Sequence, residues 1–414
     1  MKAMTRILVA LALLSPAAYA VKVPLPIEGA TMNVQFQLQF QTILTENGTP
    51  DGQNLNTDMF IRRSRLLING DVSPNFSYLI QFDNPNFGKR GDYTGRAIVQ
   101  DAWFGWAPTG NTGGTVLFVD AGLLLLPISR HLLTTTTQYI TADNHSDSFR
   151  GITNTSAFRD VGIQVRGWAL NKKVGFRGGL YEGQRGAITP AVAATPTIPA
   201  KPASADAINQ YGKPRLGGFI NFDLIGSEEG GWLYKDMSWG KDPIVSIGLG
   251  TIYQSLATKG PNGYTDQMVN SVDLFADIPM GGDAEAVFQG TVYNNKNGSG
   301  SANSGLGMFV DVGYRFGAIK PYAGFEYFNA YDCPDDQIAN LPASCSAVGT
   351  TNSRNLRAGL DFYFNKNLNH VNLEFSLNRG QSAYGPQSLA TVGSSTRLDR
   401  TAQKALLLHW NAVF

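Results

Sequence analysis

The chain has 414 residues, with 33 Lys and Arg against 32 Asp and Glu and a formal net charge of +1. That balance excludes a strongly basic protein, and no nucleic acid is expected as a partner. Charged residues make up 16% of the chain, aromatics 11%, and there are 46 glycines, which excludes a disordered chain and fits an all-β protein with many turns.

The first feature in chain order is a leader. Lys2 and Arg6 precede the apolar run 7–14, and Ala18-Tyr19-Ala20 supplies a small-x-small cleavage pattern. Residues 1–20 read as a secretory signal peptide and 21–414 as one domain. Cleavage removes two positive charges and no acids, taking the charge from +1 to −1. After it, no apolar stretch approaches the ~18 residues of a membrane helix.

The mature chain is dominated by alternation. In NVQFQLQFQT (33–42), Asn33, Gln35, Gln37, Gln39 and Gln41 share one parity, and Val34, Phe36, Leu38 and Phe40 the other. A strand sends alternate side chains to opposite faces, so this is a ribbon with one polar and one apolar face. Similar segments recur at 58–70, 75–84, 96–107, 114–123, 160–170, 173–182, 214–224, 243–254, 267–278, 283–294, 306–317, 319–330, 354–365, 368–379 and 404–414. Each is near the ~10-residue length of a tilted membrane strand, and about sixteen of them suit a transmembrane antiparallel β-barrel.

Connections alternate between tight turns, as at 71–74, 171–172, 279–282 and 365–367, and the long stretches 124–159, 183–213, 331–353 and 380–403. Short turns at one end and long loops at the other is outer-membrane barrel topology. The exception is 225–242, too long for a periplasmic turn: either an elaborated turn or a miscounted strand pair. The apolar face is then expected to meet lipid, and the glutamine row a wet lumen. Trp106, Trp168, Tyr253 and Trp410 suit interfacial girdles. The final strand, ending on Phe414 with Leu406, Leu408, Trp410 and Ala412 at alternate positions, resembles the closing strand of bacterial outer-membrane barrels.

The stretch 122–150, which leads into and makes up most of loop 124–159, carries Leu123–Leu126, Pro127, Ile128, Leu132 and Leu133, apolar surface that needs cover. Folding into the lumen as a constriction provides it; packing at a subunit interface is the alternative. Strand parity and loop position sort the charges. Arg63, Arg65, Arg166, Arg177, Arg215, Arg315 and Arg357 fall on the lumen side, and Arg130 and Arg150 lie on the constriction loop. Guanidinium forks suit oxyanions. Asp83, Asp101, Asp223, Asp273, Asp277, Glu285, Asp311, Glu326, Asp361 and Glu374 form the opposing acidic lumen. A basic arc and an acidic arc are expected, with a field across the pore. Arg62 falls on the lipid-facing parity and must sit at an interface or snorkel.

The stretch FIRRSRLLING (60–70), with an aromatic strand after it that closes on Asp83, together with RDVGIQ (159–164), resembles the phosphate-selective porin O and P family. The resemblance implies a sixteen-stranded, homotrimeric passive channel, with phosphate drawn inward by an arginine ladder that Arg63 and Arg65 match. No lysine cluster like that of the best-known members is legible.

Other signals are weaker. Cys333 and Cys345 share one long loop and read as a loop-pinning disulfide. Asp143 and Asp147 offer calcium oxygens, though such clusters are usually solvated loop; the histidines lack metal-ligand spacing, so no metal and no cofactor is expected. Segment 187–206 is Ala/Pro-rich and reads as a flexible external loop tip. The expected function is an outer-membrane porin passing small hydrophilic or anionic solutes, with lipid around it. The alternatives are a structural or adhesion barrel with a plugged lumen and, less favoured, a membrane-embedded hydrolase.

Overall fold

The computed structural model describes residues 20–49, 53–110, 115–145, 148–149, 158–184, 188–189, 204–205, 212–228, 232–240, 242–260, 263–297, 303–331, 352–380 and 403–414. Residues 1–19 of the expected signal peptide 1–20, Arg150, Asp147, Cys333 and Cys345 lie outside them.

Sixteen strands form the wall: β1 (Met32–Thr45), β2 (Asn56–Ser73), β3 (Phe76–Asp83), β4 (Ile98–Trp106), β5 (Val116–Leu125), β6 (Arg159–Ala169), β7 (Val174–Tyr181), β8 (Arg215–Ile225), β9 (Ile244–Gly260), β10 (Gly263–Gly281), β11 (Ala284–Lys296), β12 (Gly305–Phe316), β13 (Ile319–Ala330), β14 (Ser353–Asn365), β15 (Asn369–Gly380) and β16 (Gln403–Val413). Each pairs antiparallel with its sequence neighbours, and β16 returns to β1. Each expected segment overlaps one of these strands.

The seam is built by the chain ends. Phe414 N–H donates to the Phe36 carbonyl at 2.8 Å, and Phe36 N–H donates back to Phe414 at 3.1 Å. Where β16 runs out, the short segment Val21–Val23 takes over and pairs with Met32–Val34. Among the described residues the wall sheet closes on itself without an edge strand, which is the condition for β structure in hydrocarbon.

Burial is inverted relative to a soluble sandwich. Gln39 and Gln41 are 0% and 1% exposed, while Phe36 and Leu66 are near 40%. The glutamine parity does face inward, and rows such as Val161, Ile163 and Val165 face out. Of the four suggested girdle aromatics, Trp106 and Tyr253 are exposed on the outside. Trp168 is not: its ring packs edge-on against Phe118, which also lies under the Arg166 guanidinium, so it belongs to the interior.

Tight turns connect strands at the end holding both termini. The β10–β11 turn needs Gly281 and Gly282 at φ +92° and +57°, conformations that penalise a side chain.

The interior is filled by two segments. From the long-loop end, residues 126–145 and 148–149 enter from the connection between β5 and β6. Leu124, Leu126 and Ile128, all 0% exposed, join Trp103, Tyr181, Ile252, Tyr293 and Phe309 of the wall in one cluster. The apolar loop therefore finds its cover inside the barrel. From the opposite end, the long connection after β8 also folds in: Tyr234, Asp236 and Met237 are buried. It is an elaborated turn, and the strand count stands.

The wall makes room for the loop with missing side chains. A Cβ on Gly307 would lie 1.7 Å from the Ser148 carbonyl oxygen, and one on Gly250 1.7 Å from that of Ile128. Overpacking of this kind costs roughly 1–3 kcal/mol. Gly307→Ala should therefore lower the thermal unfolding midpoint in detergent. Gly290→Ala, whose Cβ would meet nothing nearer than 3.5 Å, should leave it in place.

Candidate functional site: the constricted lumen

The entering loop crosses the lumen and is pinned at both walls. On the β1–β2 side, Thr136 Oγ1 accepts from Arg65 Nη1 at 2.7 Å, and its carbonyl accepts from Gln39 Nε2 at 3.1 Å. Asp143 is clamped by Arg62 Nε at 2.6 Å and Arg63 Nη2 at 2.9 Å. These two guanidiniums hold its carboxyl well below the usual range, against the opposing effect of burial. Asp143 is thus committed to arginines. Among the described residues, no three His, Cys, Asp or Glu side chains gather as a metal site.

On the far wall, His145 Nε2 lies 2.7 Å from Asp311, and its Nδ1 3.4 Å from Glu326. The Ala142 and Ser148 backbone N–H groups donate to Glu374 and Glu326. Burial disfavours the imidazolium, but Asp311 and Glu326 outweigh it and raise the pKa to about 9. His131 has the opposite fate. Burial lowers it well below its ordinary value, and its neutral Nε2 accepts the His145 backbone N–H at 3.1 Å.

The segment from the other end fastens to the loop from beneath. Arg130 Nε donates to Glu228 at 2.8 Å, and its Nη2 bonds the Lys235 carbonyl. The guanidinium stacks 3.3 Å over the Phe275 ring centroid. Tyr234 N–H donates to the Leu133 carbonyl at 2.8 Å, and Thr135 N–H returns to Tyr234. Trp232 stacks on Trp103 of β4 at 4.4 Å. Ser238 N–H binds Asp277 and Glu285, and Asp236 lies 3.5 Å from Lys320 Nζ. Burial raises the Asp236 carboxyl to about 6 despite that ammonium.

This filling decides where the sorted charges sit. Asp273, Asp277, Asp311 and Asp361 are all 2% exposed or less. Asp273 accepts from Thr291, and Asp361 from Lys320 at 3.1 Å. Arg315 and Arg357 lie among these acids, bound to Glu285 and Glu326 at 2.9 Å each. Arg166 is paired with Asp120 at 2.7 Å, and Arg215 with Asp160 at 2.6 Å. Arg177 donates to the Trp232 carbonyl. The expected open acidic arc is thus covered: some of its carboxylates are paired with Arg315, Arg357 or Lys320, and others, such as Asp273, Asp277 and Glu374, accept hydrogen bonds from the loop, the inserted turn and the wall.

Space remains along β1–β4. A cavity of about 410 Å³ is lined there by Arg62, Arg63, Arg65, Arg159, Asp83 and Asp101, among others. Arg65 holds Asp83 at 2.9 Å, and Arg159 grips Asp101 through two N–H groups at 3.1 Å. The Arg62 expectation is corrected. A register shift at Gln39/Phe40 opposes Gln39 to Arg63 but Phe40 to Ile61, so Arg62 is the extra residue of a bulge and turns inward. Sequence parity also passed over Lys89, Arg159, Asp120 and Lys320. The last two share the inward parity of their strands, and that signal was available.

No protein-family model matches the chain, and no curated protein matches it in sequence. Solved structures share its fold. They include an anion-selective porin from Comamonas acidovorans, at TM-score 0.53 and 13% identity over 93% of this chain and all of that one. OmpF of Salmonella typhi in complex with daunomycin matches at TM-score 0.57 and 10% identity over 95% of this chain and all of that one. The outer-membrane channel DcaP of Acinetobacter baumannii matches at 0.53 and 12% over 96% of this chain and all of that one. At such identities the likeness is one of fold, and the fold is that of the outer-membrane porins.

The pins give two expected outcomes. His145 is raised above its ordinary value of 6.5, so its contribution is complete below about pH 6.5 and lost as pH climbs through about 9. The thermal midpoint should fall across that window, and His145→Gln should flatten the fall. Arg130→Met leaves Glu228 buried without its guanidinium, a loss of roughly 3–5 kcal/mol. It should raise protease sensitivity in 226–243, and adding Glu228→Gln should recover part of the protection.

Proposed function

We propose that the protein is a bacterial outer-membrane porin that passes small polar or anionic solutes by passive diffusion. The observation that carries this reading is the arginine-bearing cavity left between the inserted loop and β1–β4 inside a closed, lipid-facing barrel. Solutes move along that wall, past Arg62, Arg63, Arg65 and Arg159. The selecting element is local: fixed guanidiniums in a narrow, low-dielectric gap act on an ion far more strongly than the same charges spread round a wide tube. Phosphate is one candidate solute, on the strength of the arginine-rich β2. A homotrimer is the expected assembly, by resemblance.

A second reading has its own support. Segments entering from both ends fill much of the lumen, as a structural barrel with a plugged interior requires. Planar-bilayer reconstitution separates the two. Stepwise conductance in potassium chloride is expected; a purified, folded barrel that never conducts overturns the porin reading in favour of the plug. If phosphate is a solute, it should block chloride current at millimolar concentration, and the Arg63→Ala/Arg65→Ala pair should abolish that block.

A further inference from the structure

The remaining cavity is two-faced, and its apolar face is out of place in a channel for small hydrated ions. Five of its lining side chains are cationic (Arg62, Arg63, Arg65, Arg159, Lys89), and three are carboxylates (Asp83, Asp101, Asp143). Opposite and below them the lining turns greasy: Leu67, Leu79, Leu132, Phe158, Trp232 and Leu233 border the same space. Leu67 and Leu79 sit on the inward parity of β2 and β3, next in line after Arg65 and Gln81. Barrel interiors are ordinarily polar, and apolar side chains facing water gain nothing from being there. Several of these residues are only half-buried, including Leu79, Phe158 and Trp232. Leu79 and Trp232 pack on the Trp103 cluster and keep one side toward the gap.

The path also has an order. β2 runs from the long-loop end toward the end with the termini. Arg62 and Arg63 therefore come first, Arg65 next, and Leu67 last. Trp232 and Leu233 arrive from the opposite end on the inserted turn. A solute entering from the long-loop side meets positive charge and then an apolar, partly aromatic strip. Pockets that combine a mainly apolar lining with a few fixed polar groups bind organic molecules oriented by those groups.

From this juxtaposition we infer that the cavity selects amphipathic organic anions, carboxylates carrying a small flat apolar body, over inorganic oxyanions. The carboxylate is attracted by the guanidinium cluster, while the body slides along Leu67, Leu79 and Trp232. The inference deepens the porin reading and rests on it.

Reversal potentials in reconstituted bilayers test it with sodium acetate, sodium benzoate and sodium phosphate in turn replacing chloride on one side. Potassium chloride steps come first; their absence is a failure of the porin reading itself. Given steps, benzoate should permeate roughly fivefold better than acetate, although it is the larger ion, because its ring leaves water for the apolar strip. Leu67→Gln and Leu79→Gln, made singly, should each shrink that ratio. Heat-modified gel mobility verifies that each variant folds. Acetate permeating as well as or better than benzoate, in the order of ionic size, overturns the inference while leaving the channel intact. So does an unchanged ratio in both folded variants.

Discussion

Closure is the constraint on which the rest of the molecule depends. A backbone in hydrocarbon has no water to bond, so each N–H and C=O of the wall needs a neighbour strand. The β16–β1 seam meets that need, with Phe36 and Phe414 exchanging their last hydrogen bonds and Val21–Val23 filling the remaining stretch of β1. Once the tube is closed, the side chains have little freedom of placement. Alternate residues must face lipid, the others must face the interior, and the apolar face of NVQFQLQFQT has only one place to go.

The interior then poses a problem of its own. A sixteen-strand tube is wide, and this one is narrowed by chain entering from both ends. Loop residues that would be awkward in water, Leu126, Ile128 and Leu132, become part of a core shared with the wall. The charges that come with them are spent on attachment. Asp143 ties the loop to β2, His145 ties it to β12 and β13, and Arg130 ties it to the inserted turn. Buried pairs of this kind add little net stability compared with apolar packing, but they specify one docked arrangement among many. The space left beside these attachments, along β1–β4, is lined by the same arginines that hold the loop.

Strand number, direction and facing were legible in the sequence because each depends only on period-two alternation and on turn chemistry. So was the inward destination of the apolar loop, since its leucines needed burial. The arginine-bearing wall of β2 could be read by parity, yet Arg62 could not, because a single bulged residue reverses the face and leaves no mark in composition. Parity placed Asp273, Asp277, Asp311 and Asp361 on the inner face, but did not show their burial beneath inserted chain. Whether Asp277 meets water depends on Ser238, 39 residues away, folding back from a turn. Parity assigns a side of the wall; it says nothing of what else stands on that side.

The position of the seam has a consequence for biogenesis. Because the first and last strands are partners, no subset of the chain can complete the ring. Without β16 the other fifteen strands carry two bare edges, on β1 and β15, and bare edges recruit any other strand within reach. Pairing ends so distant in sequence is also slow. The Phe36–Phe414 contact at the seam therefore belongs to the closing step of ring assembly.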